Sequence, residues 1–306
     1  MGTAPLPMLG IDLGGTKIEA ALLATDGAVL WRQRVATPAG DYDATLHAIA
    51  ALAAQARLQA GGACSIGIGT PGTANASGLM KNCNSTCLNG RPLQRDLEAL
   101  LGQPLRLAND ANCLALSEAN DGAGAGAEVV FAAILGTGVG AGIAVRGRVL
   151  QGPNGVAGEW GHNPLPWAQA ADDPPWACYC GQRGCIETYV SGAGLARDHL
   201  HATGENLSGE TIAQRAGVGD AACAATLARH AHRLARALAA VINLLDPDVI
   251  VLGGGRSLLP HLYTPVPALW GQWVVAAGST EAVRPPLLPS RHGGASGVRG
   301  AAWLWR

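Results

Sequence analysis

Three cysteines crowd into the short pattern Cys178-x-Cys180-x4-Cys185, and His162 lies upstream of them. Three thiolates and an imidazole are a common closed tetrahedral set for Zn2+. With every position filled by protein, the metal has no open site for catalysis, so its expected role is structural. It would order residues 163–177, which have little hydrophobic periodicity of their own. The competing reading is three reduced thiols in a loop. The stapled loop would carry two carboxylates, Glu159 and Glu187, one on each side of the ligands.

A second constellation lies near the start. The run Gly10-Ile11-Asp12-Leu13-Gly14-Gly15-Thr16-Lys17 places a carboxylate at a strand end beside two glycines, a hydroxyl and a lysine. Glycine lets backbone N–H groups approach a phosphate closely, and a nest of such dipoles attracts anions. Asp12 could hold Mg2+ through water, with Thr16 or Lys17 against a transferring phosphoryl group. A plain hairpin turn with a surface lysine would use the same residues. No GxxxxGK[ST] run occurs and a strand should follow, so this is not a P-loop. A second turn, Gly136-Thr137-Gly138-Val139-Gly140, runs on into Ala141 and Gly142 and again offers amides and a hydroxyl. Gly253-Gly254-Gly255 leaves room for a flat group against bare backbone. Three such sites in one chain point to a polyphosphate held from more than one side. The pair Asn109-Asp110 has two readings: the cap and first-turn charge of a helix, or a cleft carboxylate able to act as a general base.

The elements that must position these residues read as α/β. Residues 8–13 form a short buried strand, 18–24 return across the 13–16 turn, and 29–36 make a third strand. Residues 44–60 are rich in Ala and Leu and read as helix; 65–69 is a buried strand closed by Thr70-Pro71-Gly72. Helices are expected over 92–101 and 111–119, separated by an extended 105–107, with Asn109 as an N-cap. Strand, glycine turn and return strand recur at 129–135, 136–138 and 141–145, as in a fold of two related lobes. Glycine-rich 121–126 is the natural boundary. Residues 146–175 read as loop. Leu227, Ala231, Leu234, Leu238, Val241 and Leu245 keep helical spacing as far as Asp246-Pro247. A short buried strand over 249–252 and a helix over 296–303 complete the pattern. The expected division is a small lobe over 1–121, a large lobe over 122–290 with the zinc loop, and 291–306 as a helix returning to the small lobe.

At 306 residues, 48% hydrophobic and 14% charged, the chain can bury two cores, which argues against disorder. The net charge of −1 and the lack of a long basic run disfavour nucleic acid or a membrane surface as partner. A start without a basic region, and no long apolar run, lead to the expectation of a cytoplasmic protein. Eight cysteines in such a chain do not form a disulfide framework.

Taken in order, Asp12-Leu13-Gly14-Gly15-Thr16-Lys17, Asn109-Asp110, Gly136-Thr137-Gly138, Gly158-Glu159-Trp160-Gly161-His162 and the cysteine pattern through Ile186-Glu187 resemble the ROK family of repressors, open reading frames and kinases. The resemblance runs from residue 8 to 305. It implies an actin-like, ribonuclease H-like fold in two lobes, with ATP, Mg2+ and a hexose in the cleft. It implies zinc on His162, Cys178, Cys180 and Cys185, and Asp110 as catalytic base. It also implies sugar contacts from Asn109, Asp110, Glu159, His162 and Glu187, with His162 serving zinc and sugar through different ring nitrogens. Pro71, Gly72 and Asn84 would line the same cleft, and the three glycine segments, including Gly254 and Gly255, would hold ATP. The resemblance admits a homodimer. Residues 107–118 and 158–167 are most similar to the bacterial fructokinase (manno-fructokinase) branch. The expected activity is therefore phosphorylation of D-fructose at its 6-hydroxyl, with mannose weaker; a glucokinase or N-acetylglucosamine kinase is the alternative. A sugar-sensing repressor is disfavoured, because the stretch before Asp12 is too short for a helix-turn-helix. Relatives commonly carry tryptophan where Cys87 stands, a departure that bears on sugar preference.

Overall fold

The computed structural model describes residues 6–169, 172–275 and 281–306. Strands β1 (Met8–Leu13) and β2 (Lys17–Leu23) form a hairpin across the first glycine turn, and β3 (Val29–Ala36) pairs antiparallel with β2. Helix α1 (Tyr42–Ala60) starts where the Asp41 carboxylate accepts from the Ala44 N–H, and stops at Gly61 in the left-handed region. Strand β4 (Ser65–Thr70) runs parallel to β1, and the short β5 (Thr73–Ala74) and β6 (Met80–Lys81) pair with each other. Helix α2 (Leu93–Leu101) precedes β7 (Arg106–Asn109), which is parallel to β4 and leads straight into α3 (Asp110–Asn120). The first sheet therefore has the order β3-β2-β1-β4-β7.

The pattern then repeats. Strands β8 (Val129–Leu135), β9 (Val139–Val145) and β10 (Arg148–Val149) come first. Helices α4 (Glu187–Val190), α5 (Gly192–Thr203), α6 (Gly209–Gly217) and α7 (Ala221–Leu245) follow the cysteine loop. Strand β11 (Val249–Gly253), helix α8 (Pro265–Leu269), strand β12 (Leu287–Pro289) and helix α9 (Ser296–Trp303) complete the chain. The second sheet has the order β10-β9-β8-β11-β12, with β11 parallel to both β8 and β12. In each sheet the opening strand neighbours its hairpin partner on one side and a parallel strand on the other, so the repetition seen in sequence is one of topology. Helices α5 and α6 carried no expectation, because Gly192, Gly194, Gly209 and Gly217 dilute their helical signal. Helix α7 ends as its sequence requires: Asp246 turns left-handed and Pro247 has no N–H to donate.

The chain divides into two compact units. Unit 1 comprises Met1–Gly126, Gly142–Ala157 and Arg291–Arg306; unit 2 comprises Ala127–Ala141 and Gly158–Ser290. Residues Gly142–Ala157 differ from expectation, clustering with unit 1 and not with the large lobe. The cause is local: a Cβ at Gly142 would collide with the Ala111 carbonyl of α3, so the strand approaches that helix as only glycine permits.

Within unit 1, α9 is held by the same device. Side chains at Gly10, Gly67 or Gly300 would run into the backbone of Val298, Ala301 or Cys113 respectively, so β1, β4 and α3 all meet α9 at backbone distance. Around this contact Met8, Leu23 and Leu116 pack on Val298, Ala302 and Trp303. Buried Glu118 of α3 closes the seam, accepting from Ser296 Oγ at 3.0 Å, from the Ala123 N–H at 2.8 Å and from the Arg291 N–H at 3.1 Å. Valine at Gly300 should therefore cost about 3 kcal/mol or more, because backbone cannot relax as a side-chain tip can. Urea unfolding checks this, and a wild-type midpoint would show that the seam is looser than described. Among the described residues no helix is long and apolar enough to cross a membrane.

Candidate active site and zinc cluster

In unit 1 the first glycine turn is pinned from outside. The Gly14 N–H donates to Lys17 O at 3.0 Å, the Thr37 N–H donates to Thr16 O at 3.1 Å, and Thr37 Oγ1 donates to Gly14 O at 2.7 Å. The side chains of Ile11 and Leu13 lie in the hydrophobic core. Lys17 Nζ is 3.6 Å from Glu19, a buried carboxylate that also takes ion pairs from Arg32 and Arg34. Burial alone would raise Glu19, but hydrogen bonds from Arg34 and Arg32 outweigh it and hold the group below the usual glutamate range.

Asp12 stands opposite Glu19 in the hairpin register. Its carboxylate lies where a side chain at Gly297 of α9 would intrude. Burial first, then the charges of Asp110 and Glu19, push Asp12 from 3.8 up to about 6, against a smaller opposing pull from Lys17. A carboxyl raised in this way binds its proton more tightly in the folded state. Its stabilising contribution is present below pH 3.8, is lost as pH rises to about 6, and stays lost above. The difference amounts to about 3 kcal/mol. Asp12→Asn should accordingly be more stable than wild type at pH 8 by up to that amount and indistinguishable near pH 4. Denaturant melts of both proteins at the two pH values test it; equal stability at pH 8 would remove the strain assigned to Asp12.

Asn109 caps α3, its Oδ1 accepting from the Asn112 N–H at 2.8 Å. Asp110 follows in the first turn, where Oδ1 accepts from the Ala111 N–H at 2.8 Å. The capping reading is thus realised for Asn109, which still lines a cavity of about 450 Å3 with Thr70, Gly72, Lys81, Asn112 and the loop 151–156. Asn112 was missed in the sequence, yet its buried Oδ1 has no hydrogen-bond partner and it lines this cavity. Pro71 sits in the turn before Gly72. Asn84 lines a different cavity, of about 250 Å3, with Gly15, Leu13 and Cys87.

In unit 2 the second glycine turn is tied to Glu187. The Val139 N–H donates to Glu187 Oε2 at 2.8 Å, and a Cβ at Gly138 would press on the same oxygen. One amide expected to face phosphate is therefore taken by a carboxylate expected to face sugar. Gly136 closes its own turn onto Gly138 O at 3.0 Å, and its carbonyl receives the Gly192 N–H at 2.9 Å. Ala141 is buried, its N–H donating to Gly158 O at 3.1 Å. Gly254 is needed for packing, since a Cβ there would strike Leu135 O, whereas Gly255 faces open space.

The ligand atoms of His162, Cys178, Cys180 and Cys185 all lie within 4.8 Å of one another. Cys180 and Cys185 sulfurs are 3.6 Å apart, as are Cys178 Sγ and His162 Nδ1. A tetrahedral Zn2+ with Zn–S bonds of about 2.3 Å puts its ligands roughly 3.8 Å apart, so this donor set fits the metal. The turn that makes it uses Gly181 and Gly184 at positive φ, with the Cys178 N–H on Gln182 O at 2.9 Å. His162 turns its other nitrogen, Nε2, to Tyr179 Oη at 3.0 Å, a partner the sequence did not reveal. Glu159 immediately precedes the short turn Trp160–His162. The loop also has a second anchor: buried Asp173 is bonded at 2.8 Å by both Arg233 and Arg236 of α7. Those bonds outweigh the effect of burial and keep Asp173 below the usual range.

Two α/β units of matching strand order, one with a pinned glycine turn and an aspartate at a helix start, the other with a Cys3His cluster, make the architecture of actin-like sugar kinases. The ROK family model matches residues 8–306, and the chain belongs to the ROK family, as a sugar kinase. It is 38% identical over 300 residues to the N-acetyl-D-glucosamine kinase of Yersinia enterocolitica, covering 96% of this chain and 98% of that one. The N-acetyl-D-glucosamine kinase of Photobacterium profundum shows the same identity and coverage. Among solved structures, the ROK hexokinase of Thermus thermophilus superposes with a TM-score of 0.86 at 32% identity, covering 98% of this chain and 97% of that one. The ROK glucokinase of Streptomyces griseus, in complex with glucose and AMPPNP, gives 0.72 at 29%, covering 97% of this chain and 98% of that one.

Proposed function

We propose that the chain transfers the γ-phosphoryl group of ATP to the 6-hydroxyl of a hexose, with N-acetyl-D-glucosamine the preferred acceptor. The observation that carries the sugar is the end-to-end 38% identity to kinases named for it. Asn112 lines the same cavity as Asn109, where a side-chain amide can bond a sugar hydroxyl or an acetamido group. Fructose is the second reading, resting on the resemblance of residues 107–118 and 158–167 to the fructokinase branch.

In this mechanism Asp110 takes the proton of the 6-hydroxyl as that oxygen bonds to the γ-phosphorus and the bond to the ADP oxygen breaks. Asn109, Glu159 and Glu187 hold the other hydroxyls; His162, with Nδ1 toward the cysteines and Nε2 on Tyr179 Oη, would join them only by exchanging its Tyr179 bond for a sugar hydroxyl. Thr16, Thr137 and the unspent amides of their turns meet the phosphates, and Gly255 leaves room for the base. Asp12, buried beside the charge of Asp110, fits a divalent cation held through water. When bound, Mg2+ supplies neutralisation of phosphate charge. Comparing kcat/KM for N-acetylglucosamine, glucose, mannose and fructose with ATP decides the acceptor. A value for N-acetylglucosamine at least tenfold above fructose is expected. The reverse order selects the second reading, and no ATP consumption with any of the four removes both.

A further inference from the structure

A cavity of about 660 Å3 in unit 1, distinct from the one that contains Asn109, gathers Arg106, Arg148 and Arg306 with Gln94, Gln151 and Trp305, and no carboxylate side chain lines it. The arginines come from three places: the start of β7, the start of β10 and the segment after α9. Among the described residues the ion pairs of unit 1 involve other arginines, so none of these three is neutralised by an acid. Two of them are held by aromatic faces: the Arg106 guanidinium lies 4.3 Å over Trp305 and that of Arg306 lies 5.0 Å over Trp303. Arg106 is fixed further by donating to Leu304 O at 2.5 Å.

Three arginines lining one cavity with no acidic side chain beside them leave an excess of positive charge, even with the α-carboxylate of Arg306 close by, and an anion would relieve it. Guanidinium groups match phosphate oxygens in pairs, and restrained ones lose less freedom on binding. The volume falls within the range of roughly 300–1,000 Å3 usual for small-molecule sites. Apolar wall from Leu107, Leu116 and Val149 gives a carbon skeleton something to lie against. We propose that this cavity binds the phosphate group of a small organic phosphate, of the size and kind of a sugar phosphate. The site shares Gln94, Leu107 and Gln151 with the cavity that contains Asn109, so its occupant would touch the wall of the proposed acceptor pocket. This inference does not depend on which sugar is phosphorylated.

Isothermal titration of the full chain with glucose 6-phosphate and, separately, inorganic phosphate tests it. The comparison is wild type against the double variant Arg148→Gln with Arg306→Gln, both exposed positions outside the proposed catalytic machinery, with thermal melts confirming that the variant is folded. Glucose 6-phosphate bound as product at the kinase's own site persists in the variant. Wild type should therefore show one site more, weakened at least tenfold by the double substitution, largely kept by Arg148→Lys, and weakened by added NaCl. Identical isotherms for wild type and double variant would overturn the proposal. So would inorganic phosphate matching glucose 6-phosphate at the variant-sensitive site.

Discussion

Asp110→Asn should lower turnover roughly 100- to 10,000-fold while leaving the fold and sugar affinity nearly intact, the loss expected when a general base is removed. Asparagine has the same shape and can still accept the Ala111 N–H bond that Asp110 Oδ1 now receives. What it gives up is the negative charge at the start of α3, worth about 0.3–1 kcal/mol of helix stability, and the ability to take a proton. Steady-state kinetics with the preferred hexose, paired with a sugar titration, separates the two. A variant keeping more than a tenth of normal turnover would take Asp110 out of the role; a variant that no longer binds sugar would make it a ligand instead.

The second large effect concerns the cysteine cluster. Purified protein should hold about one zinc per chain, and Cys180→Ser should lose it. Cys180 is exposed, so exchanging its sulfur for oxygen leaves no core cavity, and any loss of stability reports the metal and not packing. A fall in Tm of roughly 5–10 °C is expected, the size that about 3 kcal/mol produces in a domain of this length. Sugar affinity should fall with it, because Glu159, His162 and Glu187 ride on the same loop. The Asp173 anchor to Arg233 and Arg236 should hold the rest of unit 2 together, so complete unfolding is not expected. Metal analysis of never-chelated protein that finds no zinc would end the assignment.

Much of this was legible in the sequence where the signal is local. Strands β1 and β3 and helix α9 occupy the expected residues, Asn109 caps α3, and the four ligands of the cysteine cluster meet. Each depends on neighbours in the chain or on side chains whose chemistry permits few other uses. The hidden residues depend on distant ones. Glu118 looks like any helical glutamate until Arg291 and Ser296 arrive beside it. Gly297 looks like a weak helix residue until Asp12 is placed where its side chain would be. Asn112 is one more polar residue in a helix whose faces are nearly all buried, and only the cavity reveals its unpaired oxygen. The sugar is less legible still, because motifs shared across a family report the phosphoryl chemistry, and acceptors differ by single substituents that loops such as 151–156 would sense.

The seam between α9 and the rest of unit 1 bears on how the protein is made. Arg291–Arg306 belong to unit 1 but leave the ribosome after all of unit 2. Until they do, Met8, Leu23 and Leu116 lack their cover of Val298, Ala302 and Trp303, and Asp12 has no Gly297 beside its carboxylate. Unit 2 has no such gap and can settle first. A nascent chain stalled before residue 291 would carry both glycine turns and still leave an apolar face of unit 1 open to water.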